Sequence, residues 1–477
     1  MTRRLFPVLV AFAAVASAAS CGQKAGVAGT GGDGATDATD GPTATAGPPA
    51  TAPPVGTDTA PSGSTGGSTP PGSEPAGSAP DSGGQPGSTA PASSAPAVAA
   101  GPYEPDDNDT SGVTDEEIVI GIHAPVTGAS PIPQTSFDTG KDIYWQFLAD
   151  SAPDQLFGRT VRVVFRDDEF NPQRAVQVCR EMVESEGAFV LIGAGGADQI
   201  TACAQFAAEN NVPYLSAGVN ETGLDDLATY FATSLTYSEQ AALIIAQLVE
   251  RELTEVGLVV ADTPSFDDAF DALKAAAETE GITIAYETRI NKTAAEAEQL
   301  SVVQELKNTG VQGVVLLSSP LVFIGLANQG VNQGFAPTWI GPGVTSGLNA
   351  VTNFGCPGVD TGVFFNPTPQ LDVIDDLDAD FRAAYEAFGG GETADDIGLG
   401  LWALNKLLAA MFVATGEELG RAALMNTLVT TASFDNGIYS PVAFTEEDHF
   451  GGTGAHLLDA DCAAKTYTTA AQFVEVG

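Results

Sequence analysis

Short, almost wholly apolar runs recur along this chain, and each is followed within a few residues by a stretch whose apolar residues return at three-to-four spacing. The first run is Ile118-Val119-Ile120-Gly121-Ile122; residues 161–165, 189–192 and 212–216 repeat it, with helical stretches at 138–150, 171–184 and 198–209. A strand without a polar face must be covered on both sides, and a parallel sheet with helices on each face does this. A second series opens with a helix at 237–250. Its strands fall at 256–261, 282–286, 314–317 and 338–340, alternating with helices at 266–279, 294–308 and 321–329. Two series predict two sheets, hence an α/β protein of two doubly wound parallel-sheet lobes. After Val363-Phe364-Phe365 the alternation stops, and three helical stretches follow at 371–387, 394–414 and 418–429. From Gly437 only short strand-like pieces such as Val442-Ala443-Phe444 occur. That is the pattern of a chain crossing back between lobes.

The lobes account for only part of the 477 residues. Residues 1–20 carry two arginines, an apolar stretch and then small residues, the layout of a secretory signal whose apolar part is too short for a stable anchor. Cys21 follows Ala18-Ala19-Ser20 and resembles the lipobox of bacterial lipoproteins, with Ala18 where Leu is usual; plain cleavage after an Ala-x-Ala site is the alternative. Residues 22–101 are Gly, Pro, Ser, Thr and Ala with almost no large apolar side chain. Such a segment cannot bury enough apolar surface to offset its ordering entropy. The stretch 21–112 is therefore expected to be a disordered, lipid-anchored tether with a reach of about 50 Å, an interaction or glycosylated stalk being the alternative with the same physics. No later segment is expected to be apolar and long enough to cross a membrane.

A formal net charge of −43 excludes nucleic acid as partner, because phosphates need a basic face. Most of the 61 acidic residues lie beyond Val113, so the field belongs to the folded part and favours neutral, zwitterionic or cationic ligands. With Cys21 lipidated, four cysteines remain, and an even number in an exported chain predicts two disulfides with three possible pairings. Cys179 and Cys203 fall in consecutive helical stretches and are paired locally, which leaves Cys356 with Cys462. A metal site lacks support: there is no Cys-x-x-Cys, and the three histidines, His123, His449 and His456, are scattered. Asp106 to Glu117 loosely mimics a calcium loop, but Ser111 occupies the obligatory Gly position.

In open parallel sheets, ligands bind at loops beyond the carboxyl ends of the strands. Those loops, at 124–135, 193–198, 216–222, 262–266, 318–320 and 341–346, are rich in Gly, Ser, Thr and Asn, which suit the capture of a carboxylate or amide near helix N-termini. Catalytic signatures are lacking. Tyr214-Leu215-Ser216-Ala217-Gly218 misses the first Gly of a nucleophile elbow, no phosphate-cradling Gly-x-x-x-x-Gly-Lys occurs, and Asp198 replaces the third Gly of a dinucleotide fingerprint begun at Gly193. No cofactor is expected, and no catalytic residue is assigned. Phe266 and Tyr237 stand where an aromatic can pack on a ligand and exclude water, or pack a helix on the sheet.

Residues 112–121, followed by Ala124-Pro125-Val126-Thr127-Gly128, resemble the opening of type 1 periplasmic binding proteins of the branched-chain amino-acid-binding (Leu/Ile/Val) kind. Arg166-Asp167-Asp168-Glu169-Phe170-Asn171-Pro172, Val190-Leu191-Ile192-Gly193 and Asn211-Val212-Pro213-Tyr214-Leu215-Ser216-Ala217 are similar to its second-strand loop and third and fourth strands. The resemblance implies two lobes joined by three crossovers, placed near Thr236, Asn366 and Asn436, closing on ligand by a hinge. It divides the chain into a first lobe of 113–236 plus 367–436 and a second of 237–366 plus 437–477. It places Gly196, Ala197 and Asp198, then Gly218 and Asn220, at the ligand carboxylate, and Phe266 at a commonly aromatic position. Gly343 replaces the acid that often pairs with a ligand ammonium, so one charge-assisted bond is absent. Ser130 and Ser319 complete the expected site. The function implied is that of a monomeric, lipid-anchored substrate-binding protein that delivers a small polar molecule to an ABC permease. A ligand sensor on the same fold is the alternative, and an exported hydrolase a weaker one.

Overall fold

The computed structural model describes residues 101–104, 108–216, 223–343 and 348–476. The expected signal, Cys21 and most of the tether lie outside the described residues, as do Gly218 and Asn220. The described residues belong to one compact unit.

The first lobe is built from β1 (Glu117–Ala124), α1 (Gln134–Ser151), β2 (Thr160–Asp167), α2 (Pro172–Glu184), β3 (Val190–Gly193), α3 (Ala197–Glu209), β4 (Tyr214–Ser216) and β5 (Tyr230–Ala232). Its strands lie in the order β2-β1-β3-β4-β5, all parallel. Local chemistry sets the elements. In α2, Asn171 accepts from the amides of Gln173 and Arg174, Pro172 sits at the first turn, and Ala175, Val178, Cys179 and Met182 form the buried stripe. Each fully buried side chain of Val or Met size adds ~1.5–3 kcal/mol. The stripe therefore fixes which face of α2 meets the sheet.

The second lobe begins with α4 (Gln240–Glu250) and continues through β6 (Glu255–Ala261), α5 (Asp267–Thr279), β7 (Thr283–Ile290), α6 (Glu296–Thr309), β8 (Gly313–Leu317), α7 (Pro320–Gln333), β9 (Thr338–Pro342), α8 (Leu348–Gly355) and β10 (Val363–Asn366). The chain then returns to the first lobe as α9 (Ile374–Leu377), α10 (Asp380–Phe388), α11 (Asp396–Thr415) and α12 (Arg421–Thr430), and ends as β11 (Gly454–Asp461) and β12 (Thr466–Glu475). The second sheet is ordered β12-β11-β10-β9-β8-β6-β7. It corrects the expectation of a wholly parallel lobe, because β11 runs antiparallel to β10, and β12 antiparallel to β11. The expected strand at Val442–Phe444 is only an isolated bridge from Val442 to Phe434. Half-exposed β12 offers no unbroken apolar run to announce it.

Two further differences have clear causes. Residues 396–415 are long and apolar enough to cross a membrane, contrary to expectation, yet the stretch is 72% buried. It is the central core helix of the first lobe, where Trp402, Leu404, Leu407 and Phe412 pack with Tyr144, Trp145 and Phe189. Ile438, Tyr439, Val442 and Phe444 belong to that same core. The last crossover therefore falls after Phe450, which bridges to Ala232, rather than at Asn436.

The described cysteines pair as Cys179–Cys203, which joins α2 to α3, and Cys356–Cys462, which joins the segment after α8 to the β11–β12 turn. An N-terminal arm is fastened to α12. Tyr103 exchanges two hydrogen bonds with Asn426, and the buried Arg421 guanidinium donates to Asp109 and to the carbonyls of Ala188 and Phe189.

A cleft between the two lobes as candidate ligand site

Both sheets present the carboxyl ends of their strands to a shared cleft that holds about 870 Å³ of empty space, part of it open to solvent. That lies within the ordinary range of small-molecule sites, about 300–1,000 Å³. The first lobe contributes Pro125, Ser130, Ile132 and Pro133 after β1, Phe170 after β2, and Gly195 to Gln199 after β3. From the second come Tyr237, Thr263 and Phe266, then Lys292 after β7 and Ser318 to Pro320 after β8. The walls are mainly apolar. Asp198 and Lys292 are the charged side chains among the described lining residues.

That pair joins the lobes. The Asp198 carboxylate, in the first turn of α3, accepts hydrogen bonds from Thr263 Oγ1 at 2.7 Å and Ser265 Oγ at 3.1 Å, and a short one from Lys292 Nζ. Its three partners belong to the second lobe. Burial alone would raise the Asp198 pKa; the bonds from Lys292, Thr263 and Ser265 and the lysine charge outweigh it and hold the carboxyl below the ordinary value. The turn that presents Asp198 depends on Gly196, whose φ of +80° is disfavoured for side-chain-bearing residues, and whose added Cβ would lie 2.4 Å from Gln199 Oε1.

Phe170 is placed by a polar network beneath it. Asp168, wholly buried, accepts from the Phe170 amide at 3.0 Å, and its other oxygen meets His123 Nδ1 at 2.8 Å. The second ring nitrogen of His123 meets Tyr214 Oη at 2.7 Å. Asp167 binds the amides of Val126, Thr127 and Glu169, which ties the β1 loop to the β2 loop. Glu169 and Phe170 both take positive φ, near 57° and 55°, and this carboxylate pair holds them there. Phe170 then faces the Lys292 ammonium at 5.9 Å, while Phe266 meets Tyr237 edge-on at 5.1 Å. His123 also lies within 4.8 Å of the Cys179 and Cys203 sulfurs. Those sulfurs are bonded to each other, and both ring nitrogens have partners.

The structure brings Ser130, Gly196, Ala197, Asp198, Phe266 and Ser319 to the cleft. Ser319 is also the α7 N-cap, accepting from the Val322 amide. Gly343 stands apart: its amide donates to the Phe365 carbonyl, and an added Cβ would fall 2.7 Å from the side chain of Asn366. Sequence reasoning missed Phe170, Gln199, Thr263 and Lys292. Thr263 sits in a loop already marked as a strand-tip loop, and Phe170 in the second-strand loop that only the resemblance singled out; Lys292 had no such signal, because the strand before it was ended at Tyr286 and continues to Ile290.

The profile of the family described as Periplasmic binding protein matches residues 117–465. Among curated proteins, none matches the sequence. A possible leucine/isoleucine/valine-binding protein from Rhodopirellula baltica SH 1 is similar in structure, with a TM-score of 0.66 at 16% identity over 76% of this chain and 98% of its own. A fatty acid ABC transporter substrate-binding protein from Thermomonospora curvata has a TM-score of 0.65 at 19% identity over 78% of this chain and 96% of its own. A solute-binding protein from R. palustris in complex with 4-hydroxybenzoate gives 0.62 at 17% identity over 76% and 98%. Identities this low speak for the fold alone, whereas the profile spans the first sheet, the second as far as β11, and every strand-tip loop described above. The chain belongs to the periplasmic binding protein family.

Proposed function

We propose that this chain is the extracytoplasmic solute-binding component of an ABC importer, capturing one small molecule by closure of its two lobes. One observation carries the reading: a carboxylate from one lobe, Asp198, is held by three donors from the other across a cleft that still has room inside. A rigid two-lobed scaffold has no need of a bond that exists only when the lobes meet. Proteins of similar fold include an ABC transporter substrate-binding protein from Aeropyrum pernix and a branched chain amino acid ABC transporter from Thermus thermophilus with bound valine, which supports importer delivery and a small solute. The tether carrying Cys21 would hold the protein at the membrane, and palmitate labelling lost in Cys21→Ala tests that attachment. The capture reading is tested by thermal-shift screening of the whole chain. A selective solute at one hundred times its Kd raises stability by about 2.7 kcal/mol. Absence of any stabilising solute across amino acids, amides, acids and polyamines would refute it.

A further inference from the structure

Resting on the capture reading, we infer that the cleft takes an uncharged, largely apolar molecule bearing a carbonyl-type acceptor oxygen, and that Gln199 is the residue that selects it. Three observations converge. First, the charges are already spent on each other. Lys292 bonds Asp198, whose oxygens also receive Thr263 and Ser265, so among the described lining residues no carboxylate is left for an ammonium and no cation for a carboxylate.

Second, donors remain. Gln199 is 1% exposed and lines the cleft, and its Nε2 has no hydrogen-bond partner. A buried amide donor left unmade is costly, and a bound acceptor would relieve it. The Gln199 amide lies over Gly196, the N-cap of α3, where no side chain caps the helix. It is the amide's Oε1 that lies beside Gly196, so Nε2 is the donor of this side chain left to a guest. Third, the walls are apolar: Ile132, Pro133, Phe170, Tyr237 and Phe266 enclose the body of any guest.

Charge decides the class. An anion there would sit beside Asp198 with no free cation among the described lining residues, inside a chain of net charge −43, and a helix N-terminus returns less than an unpaired buried charge costs. A cation would have to take Asp198 from three donors at once. A neutral carbonyl meets unpaired donors and apolar walls with neither penalty.

The test is calorimetric titration of the full chain with one skeleton in three charge states: benzamide, benzoate and benzylammonium, then the same trio on cyclohexyl and isobutyl skeletons. The expected result is at least tenfold tighter binding of an amide than of its matched acid and amine. Gln199→Met, which keeps the length and removes the donor, should weaken the amide at least tenfold. A carboxylate or ammonium that matches or exceeds its amide, or an amide affinity unchanged in Gln199→Met, overturns the inference. The charge series is read on the unaltered chain, so a failure of Gln199→Met to fold does not protect the idea. If only charged members bind, the neutral class falls and solute capture stands; if no member binds in any state, the neutral class falls and capture is decided by the thermal-shift screen.

Discussion

Replacing Lys292 with Met leaves an apolar stem to lie against Phe170 and removes the charge from Asp198. The lysine side chain is 36% exposed and the aspartate 21%, so the pair is neither a surface bridge nor a buried one. Exposed pairs contribute ~0.2–1 kcal/mol, and removing one partner of a buried pair costs ~3–5 kcal/mol. Solvent reaching the lysine pulls the value toward the lower range, to about 1–2 kcal/mol. Because the bond exists only across the closed cleft, that loss falls on the closed form and should lower its ratio to the open form by about 5- to 30-fold. Asp198→Asn should do the same, since the amide oxygen still accepts from Thr263 and Ser265 but no longer attracts the lysine. Spin labels on the exposed positions Asp150 and Thr279, one in each lobe, would report the two populations by electron–electron distance measurement. A distance distribution indistinguishable among the unaltered chain, Lys292→Met and Asp198→Asn would refute the claim that this contact governs closure.

Arg421→Met should cost about 2–4 kcal/mol in urea unfolding, because the Ala188 and Phe189 carbonyls lose a buried donor and Asp109 its partner, and residues 101–112 should become more easily cleaved by protease. Removing Cys356–Cys462 as a double serine variant should cost about 3–5 kcal/mol, since the bridge closes a separation of 106 residues; an unchanged urea midpoint would contradict this. Acid should act through His456, whose burial lowers its pKa to about 4 while Nε2 holds the Ile438 carbonyl. The unfolded form binds the proton from pH 6.5 downward and the folded form only near 4. Stability should therefore fall by about 2–3 kcal/mol across that window, and His456→Gln should flatten the loss. Asp396 acts in the opposite sense: burial first, then Asp395, raise it to about 6, so Asp396→Asn should stabilise the fold at pH 7 by about 1–2 kcal/mol, measured as a higher urea midpoint.

The two series of buried parallel strands were legible because a strand covered on both faces needs an unbroken apolar run, and such runs stand out without partners being known. The edge hairpin of β11 and β12 was not, for the opposite reason: half-exposed β12 carries Thr and Ala where a central strand carries Val and Ile. Helix α11 is apolar on every side because it fills the first-lobe core, so composition alone could not separate it from a membrane span or place the last crossover. At the cleft, strand-tip loops were found from topology, and with them Ser130, Asp198, Phe266 and Ser319. What each does there depends on which loop of the other lobe it meets. Asp198 reads as a ligand contact in the sequence and as a bond between lobes in the structure, because Thr263, Ser265 and Lys292 lie far from it along the chain. Phe170 was hidden in the same way: its position rests on Asp168, which answers to His123 on another strand.

Single-molecule energy transfer between the lobes, followed as a solute found by the thermal screen is titrated, examines capture itself. The account predicts a saturable rise in transfer efficiency for the unaltered chain and none for Ala197→Trp, whose indole would occupy the cleft. Equal responses in the two proteins, or no response in either, would contradict it.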